Sequence, residues 1–254
     1  MSGFGAFLQK ELTEIRRTWR IWVIPGMLVF FGVTSPIIAL LTPALVKSMS
    51  ASQPGVSIRI PTPTSLDAYA QWLKNLDQFV LIAVVITGAG VISGERSSGT
   101  AILALTKPLS RGAFVIAKIL SQVALLVTAT TLGTAACLAV TAVLFDRAPV
   151  APLAKMVALW LIYASLLVVV MTIFSAAFRS RGAAAGAGLG YFFLTLLLSN
   201  WGPMARYTFL GLMPAMRDAL MGQGLSLGWP VTTAVGAILL GIVAAVRIFQ
   251  RQEL

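Results

Sequence analysis

The stretch Gly94-Glu95-Arg96-Ser97-Ser98-Gly99-Thr100 has the glycine spacing of a phosphate-cradling loop, G-x-x-x-x-G. The chemistry does not follow from the spacing. Thr100 stands where the phosphate-holding lysine belongs, and Glu95 would repel an anion. No other stretch supplies a nucleotide site, so the chain is expected to be non-catalytic. The 254 residues contain no His. That removes Ser-His-Asp and Cys-His nucleophiles, His-based zinc sites and imidazole proton relays. Cys137 is the single cysteine, which excludes an intrachain disulfide and a Cys-rich cluster. No metal or cofactor site is expected in this chain.

What remains is a charged pair, Glu95 and Arg96, held between glycines. The run from Thr100 to Thr106, with Ile102 and Leu103 inside it, is apolar and helix-compatible but too short to cross a bilayer. Lys107-Pro108 breaks it, and Ser110 is placed to cap a helix starting at Arg111. The product is a short helix tethered at both ends. Such an element can dock in a groove on a partner protein; the same residues also read as a solvated loop. A plain connector has about 2–8 residues, and this one runs from Gly94 to Lys118.

Composition says what must position these residues. Hydrophobic residues make up 58% and charged residues 11%, against about 25% charged in soluble domains. Mean hydropathy is +0.90. The net charge of +11 lies between apolar runs rather than in one stripe, which argues against nucleic acid. The chain reads as an all-α polytopic membrane protein.

Six uncharged runs approach the roughly 20 apolar residues a spanning helix needs: 21–46, 78–94, 119–145, 156–178, 182–204 and 219–246, the membrane part of the last being 229–246. The second is short by this measure. No cleavable signal peptide is expected ahead of them. With the N-terminus in the cytoplasm, the inner segments hold Lys10, Arg16, Arg17, Arg20, Arg96, Lys107, Arg111, Lys118, Arg179, Arg181, Arg247 and Arg251, most of the 19 basic residues. Both termini are therefore expected inside. Segments 42–77 and 200–228 fall outside. The first reads as an irregular Pro-rich loop ending in an amphipathic helix with Leu66, Tyr69, Leu73, Leu76 and Phe79 on one face. The second, rich in aromatics, reads as an interfacial or re-entrant hairpin.

Residues 1–20 predict an interfacial helix. Phe4, Leu8, Leu12, Ile15, Trp19 and Trp22 recur at helical spacing, and Arg16, Arg17 and Arg20 supply cations for anionic lipid heads. Gly182, Gly186 and Gly190 fall four apart at the start of the fifth run, a bare helix face suited to close packing within the chain or between subunits. No run core contains Asp, Glu, Lys or Arg. An ion-coupled carrier needs such a group near the midplane, so energy must come from elsewhere. The Thr and Ser residues inside the runs are expected to bond across helices or back to their own turns.

The inner loop, GERSSGTAILALTKPLSRGAFVIAK, resembles the cytoplasmic loop of ABC transporter type 2 permeases. The matching positions are Glu95, Gly99, Thr100, Leu103, Pro108, Leu109, Ser110, Arg111 and Lys118. Lys10-Glu11-Leu12, the six-span layout and the ending with Phe249, Arg251 and Glu253 are similar too. Some relatives carry more acidic residues after Glu95, where this chain has Arg96, Ser97 and Ser98. The resemblance implies a coupling helix seated on a separate ATPase subunit, with Glu95, Arg96, Gly99, Thr100, Ile102, Leu103, Pro108 and Arg111 at the contact. It implies two permeases, identical or paralogous, working with two ATPases that hold ATP and Mg, in the bacterial inner (plasma) membrane. An amphiphilic, lipid-like, peptide or drug-like cargo, exported, suits the charge-free spans. The alternative is a membrane component for assembling or maturing an extracellular metalloenzyme. A self-contained channel or carrier is disfavoured by the empty spans, and an intramembrane protease by the lack of His, paired Asp or a Ser–Lys pair at depth.

Overall fold

The computed structural model describes residues 3–50, 61–99, 110–223 and 227–252, and these are all-α. An N-terminal helix α1 (Gly3–Arg17) precedes α2 (Arg20–Ser50). Helix α3 (Ser65–Asn75) runs through one π-turn (Leu76–Val80) into α4 (Leu81–Gly88), and α5 (Ser93–Ser97) follows after a break. Then come α6 (Arg111–Leu144), α7 (Val150–Ala177) and α8 (Arg181–Leu198). Two short helices, α9 (Gly202–Tyr207) and α10 (Leu212–Met221), lead to α11 (Gly228–Gln250).

Six helical segments are long and apolar enough to cross a membrane: Ile21–Ser48, Ser65–Ser97, Arg111–Leu144, Val150–Ala177, Arg181–Leu198 and Gly228–Gln250. The second explains the shortness of run 78–94. The amphipathic helix before it feeds that span directly, α3 being continuous with α4 through the π-turn. Tyr69, Trp72 and Leu76 are fully buried, so tertiary packing, not the water interface, receives that apolar face. Helix α2 also continues past Val46 to Ser50, with Pro25, Pro36 and Pro43 inside it.

Helix α7 is the centre. Met156, Trp160, Tyr163, Leu167 and Met171 are buried along it, and α4, α8, α10 and α11 pack around it. Within residues 200–223 two short helices follow one another, and the second buries Leu212, Met213 and Met216. Gly222 ends that second helix in the left-handed conformation, φ +67°, its N–H donating to Asp218 O, as a helix stop requires. The α2–α6 crossing is closest at glycine. A Cβ on Gly133 would lie 2.7 Å from Leu28 O, and one on Gly32 would collide with Gly133 O. Val143, Leu197, Leu239 and Leu240 are exposed at the periphery, an apolar surface suited to lipid rather than water.

Candidate functional site

Helix α1 lies on α6. Its docked face carries Phe7 and Ile15, and between them, one turn from each, is Glu11. Helix α6 answers with Phe114 and Lys118, also one turn apart. Lys118 Nζ donates to Glu11 Oε2 at 3.0 Å and to Glu95 Oε1 at 2.7 Å. The lysine side chain is 3% exposed and Glu95 13%. Lys10 joins from the rim, 3.0 Å from Glu11 Oε1 and 3.5 Å from Glu95 Oε1. It also pairs with Glu14, one turn along α1. Burial alone would lower the Lys10 pKa. Hydrogen bonds to Glu14 and Glu11, with the charges of Glu11 and Glu95, outweigh it and hold the ammonium above the ordinary lysine value. A buried charge is tolerated only when paired in this way.

Aromatic rings floor the cluster. Lys118 Nζ is 4.9 Å from the Phe114 ring centroid, a cation–π distance. Phe114 stacks on Phe249 at 5.1 Å and meets Phe7 at 5.3 Å. Three segments remote in sequence, α1, α6 and the end of α11, thus converge where Glu95 enters. The arginines flanking the 94–111 loop close on the same C-terminal segment. Arg96 Nη2 donates to Phe178 O at 2.9 Å, and its Nη1 donates to Gln252 Oε1. Arg111 Nη1 donates to Gln250 O at 2.8 Å and to Gln252 O at 3.1 Å.

The break ahead of α5 is set from α7. Ser175 Oγ accepts from Ile92 N at 2.9 Å and Ser93 N at 3.1 Å and donates to Ala89 O at 2.8 Å. One hydroxyl therefore satisfies two backbone donors that the interrupted helix leaves over. Gly90 and Gly94 make room beside it for the Arg181 side chain, and a Cβ on Gly94 would lie 2.8 Å from Arg181 Nη2.

The model of the ABC-2 family transporter protein matches residues 6–219, most of the chain, and so includes α1, the loop and its flanking helices. The chain belongs to the ABC-2 transporter family. It is also 23% identical over 185 residues, 73% of this chain and 72% of the relative, to the uncharacterized transmembrane protein YxlG of Bacillus subtilis (strain 168). As an ABC-2 membrane component it is a multi-pass membrane protein of a kind that typically lacks its own ATPase domain.

Of the residues expected at the loop of this ABC-2 permease, Thr100, Ile102, Leu103 and Pro108 lie outside the described residues, as does the proposed short helix. Gly99 is described, with φ +73°, a conformation that favours glycine. Glu95 points into the ion cluster, and Arg96 and Arg111 turn toward backbone carbonyls. Ser110 Oγ accepts from Ala113 N at 3.1 Å, the expected cap.

In α1 and the turn after it, Phe4 and Leu8 are half-buried and Ile15 is buried. Leu12, Trp19 and Trp22 face outward, Trp22 with 79% exposure. Arg16 and Arg17 are exposed; the side chain of Arg20 is outside the described set. Gly182, Gly186 and Gly190 face open space, so they do not pack against the described residues. The close approach on α8 is at Gly188 instead, against Met171 and Val85. Lys118, Glu11, Phe114, Phe249 and Gln252 complete the site but were not among the expected contact residues. A carboxylate at the fourth position after Phe7 and before Ile15, on an apolar helix face, was the signal for Glu11.

Proposed function

We propose that this ABC-2 chain is the membrane subunit of an ATP-driven exporter, with both termini in the cytoplasm of a cell whose inner (plasma) membrane it spans. A separate pair of ATPase subunits binds ATP and Mg. It drives the permease through the loop from Glu95 to Arg111, where Gly99, Thr100, Ile102, Leu103 and Pro108 make the contact. Glu95, Arg96 and Arg111 fix the two ends of that loop. A second copy or a paralogue completes the translocation path, and the outward Gly182-Gly186-Gly190 face is available to it. The cargo is amphiphilic: lipid-like, peptide or drug-like. Exposed Trp19 and Trp22 with Arg16 and Arg17 anchor α1 at the interface.

One observation carries this reading. The loop is clamped at its root, Glu95 to Lys118, so a push on it reaches both adjoining spans and α1 together. An unrestrained connector would absorb the push. Co-expression with an ABC-type ATPase and capture of the chain tests the idea. The ATPase is expected to co-purify with the native chain and to be lost from Leu103→Asp, with the monomer still folded by circular dichroism. Co-purification that Leu103→Asp leaves intact would overturn it.

A further inference from the structure

Beside the ion cluster the same end of the bundle carries a second charged feature with the opposite balance. A cleft of about 600 Å³ is lined by Arg96, Ser97, Ala177, Arg179, Arg251 and Gln252. Its volume is that of a small-molecule site rather than a protein groove. The ion pairs of the cluster use Lys10 and Lys118 as cations, and Arg96, Arg179 and Arg251 take no part in them. The three cleft guanidinium groups therefore have no described carboxylate as counter-ion. Arg96 is committed to carbonyl and amide oxygens of the wall, Ala176 O and Phe178 O among them. It contributes charge and a fixed shape. Arg179 and Arg251 are exposed and make no described side-chain hydrogen bond, so their donors face outward.

The walls come from the ends of three membrane-spanning segments: α5 stopping at Ser97, α7 at Ala177 and α11 at Gln250. That level is where an apolar helix leaves hydrocarbon for headgroups. Phe178, next to the cleft, is 38% exposed, an apolar rim beside a cationic interior. Basic pockets between spans at this depth fit anionic headgroups. We propose that the cleft is a binding site for the phosphodiester headgroup of an anionic phospholipid, held by Arg179 and Arg251 with Arg96 behind them. The apolar rim and the span-end position favour lipid over an acidic protein surface.

The full chain in micelles, offered equal amounts of phosphatidylglycerol and phosphatidylcholine, is examined by native mass spectrometry for the ratio of the two in the first bound lipid. The native chain is expected to prefer phosphatidylglycerol. Each of Arg179→Gln and Arg251→Gln should lower the ratio about fivefold, and the Arg179→Lys/Arg251→Lys double variant should keep most of the preference. Because both side chains are exposed, thermal melts of the variants should match the native chain; if a Gln variant misfolds, loss of the native chain's preference in molar salt gives the same reading. Equal binding of the two lipids overturns the site. A preference unchanged in folded Gln variants overturns it too, as does a salt-insensitive preference. Abolition by millimolar inorganic phosphate would assign the cleft to free phosphate instead. Unchanged lipid preference with lost ATPase capture would assign it to protein.

Discussion

Lys118 Nζ lies 2.7 Å from Glu95 Oε1, across 23 positions of sequence that hold the entire loop between the second and third spans. The same ammonium reaches Glu11, 107 positions away. A single buried cation thus joins α1, the end of the second span and the start of the third.

Lys118→Met removes the buried cation shared by Glu11 and Glu95 and leaves them, in a site closed by Phe114, to Lys10 at the rim. A loss of about 3 kcal/mol is expected, read as a lowered melting temperature in detergent. Adding Glu11→Gln and Glu95→Gln removes the stranded charges, so the triple variant should be more stable than Lys118→Met alone. Simple additivity of the three effects would show that the groups do not act as a network.

Ser175→Ala removes the acceptor for Ile92 N and Ser93 N. Each orphaned donor costs about 1–3 kcal/mol, and exchange of those two amides should accelerate ahead of neighbours in α4. Unchanged protection at Ile92 and Ser93 would contradict the bridge.

The two glycine patterns should separate cleanly. Gly133→Ala drives a methyl toward Leu28 O and should destabilise by about 1–3 kcal/mol. Gly186→Ala meets open space, and in the monomer it should be neutral or gain up to about 1 kcal/mol from helix propensity. Thermal melts of the two variants at equal protein concentration decide it.

Orientation can be read with thiols, because Cys137 is fully buried and should not react in the folded chain. Ser97→Cys should label only from the cytoplasmic side and Asn200→Cys only from outside. Labelling of both from one side would refute the proposed topology.

Much of the architecture is legible in local signals. Apolar length gives the number of spans, and Ser110 announces the helix it caps, accepting a bond from the third residue on; Ser180 does the same for α8. The shortfall of run 78–94 is also legible once it is read as a demand for more helix, which α3 supplies. The ion cluster is not legible that way. Its partners are brought together by packing between α1 and α6, and nothing in the neighbourhood of Lys118 names Glu11. The intraspan hydroxyls divide similarly. Thr87, Thr128, Thr131, Thr141 and Thr172 bond back to their own helices, as local rules predict. Ser175 instead serves another helix, and only its three-dimensional neighbours reveal that. The glycine ladder of α8 is real in sequence, but which of its faces meets the bundle depends on the rotation of the helix.

The hydroxyl of Ser175 has a mechanical consequence. Two amides of the second span are tied to α7, so residues 92–97 are fastened to the fourth span as well as to Ala89 and Gly90 of their own segment. A displacement of Glu95 would therefore act on the central column of the bundle through Ser175 as well as on its own span.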